Sequence, residues 1–386
     1  MSINKKIKVV AAMSGGVDSS VAAALLKQQG YFVVGVFMKF WRSPELVEGK
    51  AVENRCCSVE SEKMARLVAK KIGVPFYVIN AEKEFKKKVV NYFLEDYKKG
   101  NTPNPCVVCN KEIKFGLLIE KALKMGADYI ATGHYARISG KSEARNSKSE
   151  TFKLLTGKDK EKDQSYFLWQ LNQKQLSRVM FPVGNYTKLE VRKLAEKFGL
   201  PTAKTPESQE VCFVQNSTND FLKKYLKTKP GRIIKLQDVR HPAGCRTSQK
   251  TLGEHQGLWF YTIGQRRGIE IQQGPWYVVA KDFKNNSLIV SKNKKDLLQK
   301  KLIAKNVNWI SGKKPKFPVK IKARIRYRSK LAKATIFKFQ IIPTGSKQSN
   351  FKLLFDHNQK AITSGQSVVF YKGKELSGGG TIDNVS

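Results

Sequence analysis

The chain has 386 residues, with 72 Lys and Arg against 31 Asp and Glu for a formal net charge of +41, and six cysteines. That length suits two or three domains, no apolar run approaches the ~20 residues of a membrane-spanning helix, residues 1–8 carry no signal-peptide core, and so few cysteines do not make a secreted disulfide scaffold. A cytoplasmic monomer with a polyanionic partner is therefore expected, although a generally basic proteome would leave the same mark.

Residues 9–20 read V-V-A-A-M-S-G-G-V-D-S-S: an apolar run that predicts a buried strand, a Ser-Gly-Gly break, and a helical pattern opening at Ser19. Paired glycines let the backbone turn with its N–H groups outward, and the following helix aims its positive dipole end at the same place, which suits phosphate. No Gly-Lys-Ser/Thr follows and G-x-G-x-x-G is absent, which excludes the commoner nucleotide-hydrolase and dinucleotide loops. The string S-G-G-V-D-S-S resembles the PP-loop of ATP pyrophosphatases, which cleave ATP to AMP and pyrophosphate to activate a carbonyl-type oxygen.

The run 31–38 (Y-F-V-V-G-V-F-M) predicts a second core strand of a parallel sheet, its C-terminal end bordering the nucleotide. After a polar loop and Cys56-Cys57, a helix presents Met64, Leu67, Val68 and Ile72 at helical spacing until Gly73-Val74-Pro75 stops it. A strand over 76–79 and a helix over 85–97, burying Val89, Val90, Phe93 and Leu94, continue the rhythm of a doubly wound α/β sheet.

Residues 101–115, N-T-P-N-P-C-V-V-C-N-K-E-I-K-F, interrupt that rhythm. Two prolines stiffen the backbone and present Cys106 and Cys109 at a helix start, where thiolate is favoured. The C-x-x-C alone leaves three readings open: a redox pair, half a metal site, or one catalytic thiol beside a bystander. A strand over 128–135 ends in Gly133-His134, and such a histidine either contacts ligand or is satisfied structurally. Residues 139–151 read as a polar insertion, and Lys162-Asp163-Gln164-Ser165-Tyr166-Phe167 opens a helix with Leu168, Leu171 and Leu176 inward. Thr187-x-x-Glu190 is a capping box, and its helix should end at Gly199. Cys212 then stands in a loop, either inert and buried or a second functional thiol.

Near Ser217 the alternation gives way to shorter elements. Residues 253–257 and 261–268 are rich in Gly and basic residues, 238–250 read as another insertion, and strands are expected at 276–280, 287–290, 320–327, 333–341, 351–355 and 367–371, a small β-barrel or sandwich. From Lys301 to Ser386 there are 18 Lys and Arg against 3 Asp and Glu, 18 − 3 = +15, which suits an RNA backbone.

Taken together, S-G-G-V-D-S-S, T-P-N-P-x-x-x-C-N-K-E-I-K-F, A-T-G-H-Y, K-D-Q-S-Y-F-L, F-P-V-G, S-Q-E-V-C-F, G-E-H-Q-G-L, Y-T-I-G-Q-R-R-G, R-Y-R and G-Q-S-V-V-F-Y resemble the tRNA-specific 2-thiouridylase family over residues 8–382. The resemblance implies a PP-loop catalytic domain (1–216), a small central domain (217–282) and a C-terminal tRNA-binding β-barrel (283–386). It also implies ATP-dependent exchange of O2 of the wobble uridine (U34) for sulfur, relayed as a persulfide from a cysteine desulfurase or sulfur relay protein. ATP, with Mg2+, would lie against Ala12, Met13, Ser14, Gly15, Gly16, Val17, Asp18 and Ser19, with Met38 and Gly133. Cys109 would be the catalytic thiol and Cys212 the persulfide carrier, the two ending as a disulfide that is reduced each turnover. The uridine pocket would include Asn104, Pro105 and Cys106, while Lys162, Asp163, Gln164, His134, Arg326, Tyr327 and Gln366 would touch tRNA.

Cys106 stands where many relatives carry Asp, Ser364 where Pro is usual, and segments 43–54, 139–151 and 238–250 diverge. Three alternatives stand beside this reading: a PP-loop synthetase acting on a small metabolite, an enzyme whose Cys106, Cys109 and Cys212 hold an iron–sulfur cluster, and a catalytically silent RNA-binding protein. Two separated thiols and the high positive charge weigh against the first, and the intact loop and cysteines against the last.

Overall fold

The structure is a computed structural model that describes residues 6–47, 50–52, 57–140, 151–206, 211–215, 217–236, 251–339 and 350–383. Segment 238–250 and most of 139–151 lie outside the described residues.

The first unit alternates strand and helix. It runs β1 (Lys8–Ala12), α1 (Val17–Gln28), β2 (Phe32–Lys39), a short hairpin of β3 (Ser43–Val47) and β4 (Lys50–Val52), α2 (Val59–Ile72) and β5 (Phe76–Asn80). Next come α3 (Glu82–Phe85) and α4 (Asn91–Lys98), joined by a π-helical stretch, then α5 (Pro105–Cys109), a second π-helical stretch and α6 (Leu118–Lys124). After β6 (Tyr129–Ala131), β7 (Ala136–Ser139) and β8 (Lys153–Thr156), the unit closes with α7 (Gln173–Leu176), β9 (Val179–Met180) and α8 (Lys188–Lys197). Five strands form an all-parallel sheet in the order β5-β2-β1-β6-β9. The doubly wound α/β expectation is met. Successive strands depart to opposite sides of β1, so its C-terminal end is the switch point where a crevice opens.

Local signals explain most boundaries. Gly73 (φ 65°) caps α2, and Thr187 and Glu190 exchange both hydrogen bonds of a capping box at α8. Helix α2 corrects one expectation: Leu67 is 54% exposed, and the buried stripe is Ala65, Val68 and Ala69. The helix expected after Lys162 is instead a 3-10 turn over Ser165–Leu168 followed by α7, although Leu168, Leu171 and Leu176 are buried as anticipated.

The second unit comprises α9 (Thr218–Tyr225), β10 (Gly231–Lys235), β11 (Thr251–His255), β12 (Tyr277–Asp282) and β13 (Ser287–Ser291), with sheet order β11-β10-β13-β12. The third comprises β14 (Leu298–Trp309), β15 (Val319–Arg324), β16 (Ala332–Phe339), β17 (Asn350–Lys360), β18 (Ser367–Lys372) and β19 (Glu375–Ile382). Its order β14-β17-β16-β15-β18-β19 closes through β14–β19 pairing, making a six-stranded barrel with its own core of Leu302, Ile336, Leu353, Phe355 and Phe370.

Strands β7 and β8 leave the first unit and extend the barrel sheet through β8–β19 pairing. Trp169 and Tyr166, both buried, complete the dock: indole Nε1 donates to Ser367 Oγ (3.0 Å) and the phenol to the Ser367 carbonyl (2.8 Å). Truncating Trp169 to alanine would cost about 3–5 kcal/mol. Opposite it lies Gly379, where a Cβ would sit 2.8 Å from the indole, which is why β19 carries glycines.

Candidate active site

The loop after β1 is built by close approach. Gly15 (φ +76°) packs against the backbone of Ser61 in α2, so a Cβ there would collide with a main-chain carbonyl. Ser19 Oγ accepts from the Ser14 N–H (3.2 Å) and donates to the Gly16 carbonyl (3.0 Å), to which Ser20 Oγ also donates (2.9 Å). Helix α1 begins at Val17 rather than at Ser19, with Gly16 as its N-cap and no side-chain cap. Its first-turn amides thus carry no capping oxygen, the arrangement that receives an anion. Ala12 ends β1, the Met13 N–H binds the Val36 carbonyl (2.8 Å), and Met38 lies buried on the neighbouring strand. From above, Gly133 crosses the first turn of α1 so closely that a Cβ would stand 2.7 Å from the Ser19 nitrogen.

Asp18 is the polar centre of this loop. Its Oδ1 accepts from the Tyr135 hydroxyl (2.7 Å) and from Lys188 Nζ (2.6 Å). Lys188 is the first residue of α8, its own N–H bound to Asp159 Oδ2 (2.9 Å). Neither Tyr135 nor Lys188 was singled out by sequence reasoning. The signal for Lys188 was a cation at the first helical position, inside a capping box, where the helix dipole favours acids.

Residues 132–135 tie the loop to everything else. The expected strand over 128–135 is only β6, so Thr132, Gly133 and His134 run as connecting backbone. His134 is buried, its Nδ1 2.7 Å from Thr132 Oγ1, its ring against Phe115 of the helical segment that follows Cys109 and against Phe181. Burial first, and the charge of Lys114 second, push its pKa well below the usual histidine value. Tyr135 and Gln164 exchange two hydrogen bonds, Tyr135 N–H to Gln164 Oε1 (3.0 Å) and Gln164 N–H to the Tyr135 carbonyl (2.9 Å).

Asp163 is only 3% exposed. It accepts from the N–H groups of Gly157 and Ser165 (3.1 Å each) and from Ser165 Oγ (3.0 Å), with Arg324 of β15 at 3.6 Å. Burial raises its pKa against the pull of those donors. Asp163 thus rivets this turn to the barrel, while half-buried Lys162 beside it lines a cavity of ≈ 410 Å³ with Lys160, Arg324, Tyr327 and Arg328. Arg326 is exposed but gives Nη2 to the Lys360 carbonyl (2.6 Å), and the Tyr327 ring lies 4.5 Å from Phe167.

The thiol-bearing segment sits between the units. Asn104, buried, caps α5 by accepting from the Val107 N–H (3.4 Å), Pro105 occupies the first helical position, Cys106 is exposed and Cys109 is buried. Asn110 Nδ2 donates to the Phe167 carbonyl (3.2 Å), fastening this helix to the turn that holds Asp163. Gln366 Nε2, from the barrel, donates to the Thr102 carbonyl (2.9 Å). Cys212 is half-buried and follows 207–210, which lie outside the described residues; its neighbour Phe213 packs on Phe85, Phe93 and Phe221. Among the described residues no three His, Cys, Asp or Glu side chains gather as a metal site, so the proposed iron–sulfur ligand set does not fit this arrangement. No helix is long and apolar enough to cross a membrane among the described residues.

Three family descriptions match the chain: a tRNA methyl transferase HUP domain over residues 7–216, a tRNA methyl transferase PRC-barrel domain over 219–292, and an aminomethyltransferase beta-barrel domain over 299–382. The chain is 42% identical over 385 residues to the tRNA-specific 2-thiouridylase MnmA of Clostridioides difficile (strain 630), covering 99% of each. It is 44% identical to MnmA 2 of Geobacillus kaustophilus (strain HTA426), covering 98% of this chain and 95% of that protein. Against MnmA of Halothermothrix orenii the identity is 45%, covering 97% and 98%.

Proposed function

The chain belongs to the tRNA-specific 2-thiouridylase family, and from that premise we propose that it thiolates the wobble uridine of tRNA at C2, using ATP. The observation that carries the reading is the bridge made by residues 134 and 135. Tyr135 binds Asp18 of the nucleotide loop and Gln164 of the K-D-Q turn, while His134 packs on Phe115, downstream of Cys109. One short segment thereby links the loop after β1, the K-D-Q turn beside the basic cavity and the thiol-bearing helix, which supports a single site for ATP, tRNA and sulfur.

Uracil O2 is a poor leaving group, so its attack on the α-phosphate of ATP, with loss of pyrophosphate, turns it into the oxygen of AMP. The uncapped amides of α1 hold the departing phosphates, and Lys188 and Tyr135 fix the Asp18 carboxylate beside them. Mg2+ bound with the nucleotide would neutralise phosphate charge there, with Asp18 the nearby carboxylate. The terminal sulfur of a Cys212 persulfide attacks C2 and AMP departs; the Cys109 thiolate then attacks Cys212 Sγ, expelling 2-thiouridine and leaving a Cys109–Cys212 disulfide for an external reductant. In the alternative order Cys109 first frees hydrosulfide, which attacks C2. Asn104, Pro105 and Cys106 border the uridine, and Lys162, Gln164, Arg326, Tyr327 and Gln366 meet the tRNA, with Asp163 supporting them from below. The sulfur is delivered by a cysteine desulfurase or relay protein, and the enzyme acts as a cytoplasmic monomer.

A tRNA carrying heavy oxygen at uracil O2 tests the activation step. The label should appear in AMP. Label lost to water with unlabelled AMP would refute adenylation at O2.

A further inference from the structure

The short segment leading into α5 is gripped from three sides, and one of the grips is a half-buried lysine that the reaction does not use. Helix α4 ends in a Schellman turn: Gly100 (φ +83°) donates its N–H to the Tyr97 carbonyl (2.8 Å) and Asn101 to the Asp96 carbonyl (3.0 Å). The next carbonyl, that of Gly100, receives Lys281 Nζ at 2.9 Å. Lys281 comes from β12 of the second unit and spans 181 residues of sequence to make this bond. Phe283, two residues on, sets the end of its ring where a Gly100 Cβ would stand, leaving no room for a side chain there. From the same unit Thr262 Oγ1 lies 3.2 Å from Thr102 Oγ1. The barrel adds its own hold, since the Thr102 N–H donates to the Ser364 carbonyl (2.8 Å) and Gln366 Nε2 to the Thr102 carbonyl (2.9 Å). Two residues further, Asn104 caps the helix that carries Cys106 and Cys109.

We propose that Lys281 is a positioning residue: by holding the Gly100 carbonyl it sets where the thiol-bearing helix begins, coupling placement of the second unit to placement of Cys109. Burial of an ammonium is costly, and here it pushes the pKa of Lys281 down to about 8. Among the described residues its one hydrogen bond goes to Gly100, and no carboxylate pairs with it. A methionine of similar length would fill the space at lower cost. What the lysine adds is a donor aimed at the C-terminal end of α4, where a cation also meets the negative end of the helix dipole. An error of about 1 Å in a reacting group can cost on the order of a hundredfold in rate, so a fixed start to α5 has direct kinetic value.

This rests on the proposed thiolation for its kinetic arm, so the test includes an arm that does not. In the substrate-free full-length protein, alkylation of buried Cys109 by iodoacetamide, followed by residue-resolved mass spectrometry, should be several-fold faster in Lys281→Met than in wild type. With saturating ATP, tRNA and persulfide, Lys281→Met should lower the single-turnover thiolation rate by roughly tenfold or more, while half-saturating tRNA shifts less than about twofold. Thr262→Val, which removes the neighbouring bond and leaves Lys281, should move both readouts in the same direction by less, and it decides the matter if Lys281→Met does not fold. Wild-type alkylation and rate in both variants, or a loss confined to half-saturating tRNA, would overturn the role. If wild type itself makes no 2-thiouridine, the thiolation reading fails, and the alkylation arm still decides whether Lys281 holds the loop.

Discussion

Lys188 Nζ lies 2.6 Å from Asp18 Oδ1, an ion pair that joins the start of α8 to the nucleotide loop across 170 residues of sequence. With the Tyr135 hydroxyl 2.7 Å away on the same oxygen, the carboxylate is oriented from two sides. It stands within the uncapped first turn of α1.

That arrangement makes Asp18 and Lys188 act as a unit. Asp18→Ala and Lys188→Met should each lower ATP-dependent AMP formation by roughly a hundredfold or more, and the double variant should lose little beyond either single one. Filter binding of tRNA should be nearly unchanged, because neither side chain faces the barrel. Wild-type AMP release from either variant would remove Asp18 from the chemistry.

A second expectation concerns pH. His134 is a base whose folded pKa is pushed well below 6.5 by burial and then by Lys114. Below pH 6.5 the unfolded chain binds a proton that the folded chain refuses, so stability falls as pH drops from about 6.5 toward the folded value. His134→Gln should flatten that limb of the urea midpoint against pH, relative to wild type. An identical slope in both proteins would place the titrating group elsewhere.

Much of this was legible in the sequence because the signals were local. S-G-G-V-D-S-S, the capping box at Thr187 and the glycine stop at Gly73 each depend on neighbours within a few residues; the cap and the stop stand where they were expected, and the strand–turn–helix of the loop differs only in its helix starting two residues early, at Val17. Contacts over long separations were not legible. Nothing around Lys188 announces Asp18, and nothing around Lys281 announces Gly100. The barrel shows the same limit. Strands β14 and β19, whose pairing closes it, were missed because one is broken by exposed lysines and the other carries Gly378, Gly379 and Gly380, a composition that argues against strand until the close approach of Trp169 and Val307 is known. Strands β7 and β8 escaped for a related reason: they pair with each other across residues 141–150 and join a sheet only through β8 and β19, far along the chain.

Charge gives a third expectation. The ≈ 410 Å³ cavity presents Lys160, Lys162, Arg324 and Arg328 against Glu161 and Asp163, and residues 301–386 carry 18 basic against 3 acidic side chains. If these meet phosphates, log affinity for tRNA should fall with log salt by about 0.7–0.9 per phosphate neutralised. Arg328→Gln should reduce that slope by about one contact and leave ATP-dependent chemistry at saturating tRNA intact. A flat salt response would assign the charge to another partner.

The central claim is that Cys109 and Cys212 divide one sulfur transfer between them, with Cys106 bordering the pocket and taking no obligatory part. Nucleoside mass spectrometry of tRNA after a single turnover with ATP and a persulfide donor tests it most directly. Wild type and Cys106→Asp should both yield 2-thiouridine at the wobble position, whereas Cys109→Ser and Cys212→Ser should yield none above background. Product from either serine variant at the wild-type level, or none from wild type, would contradict the account.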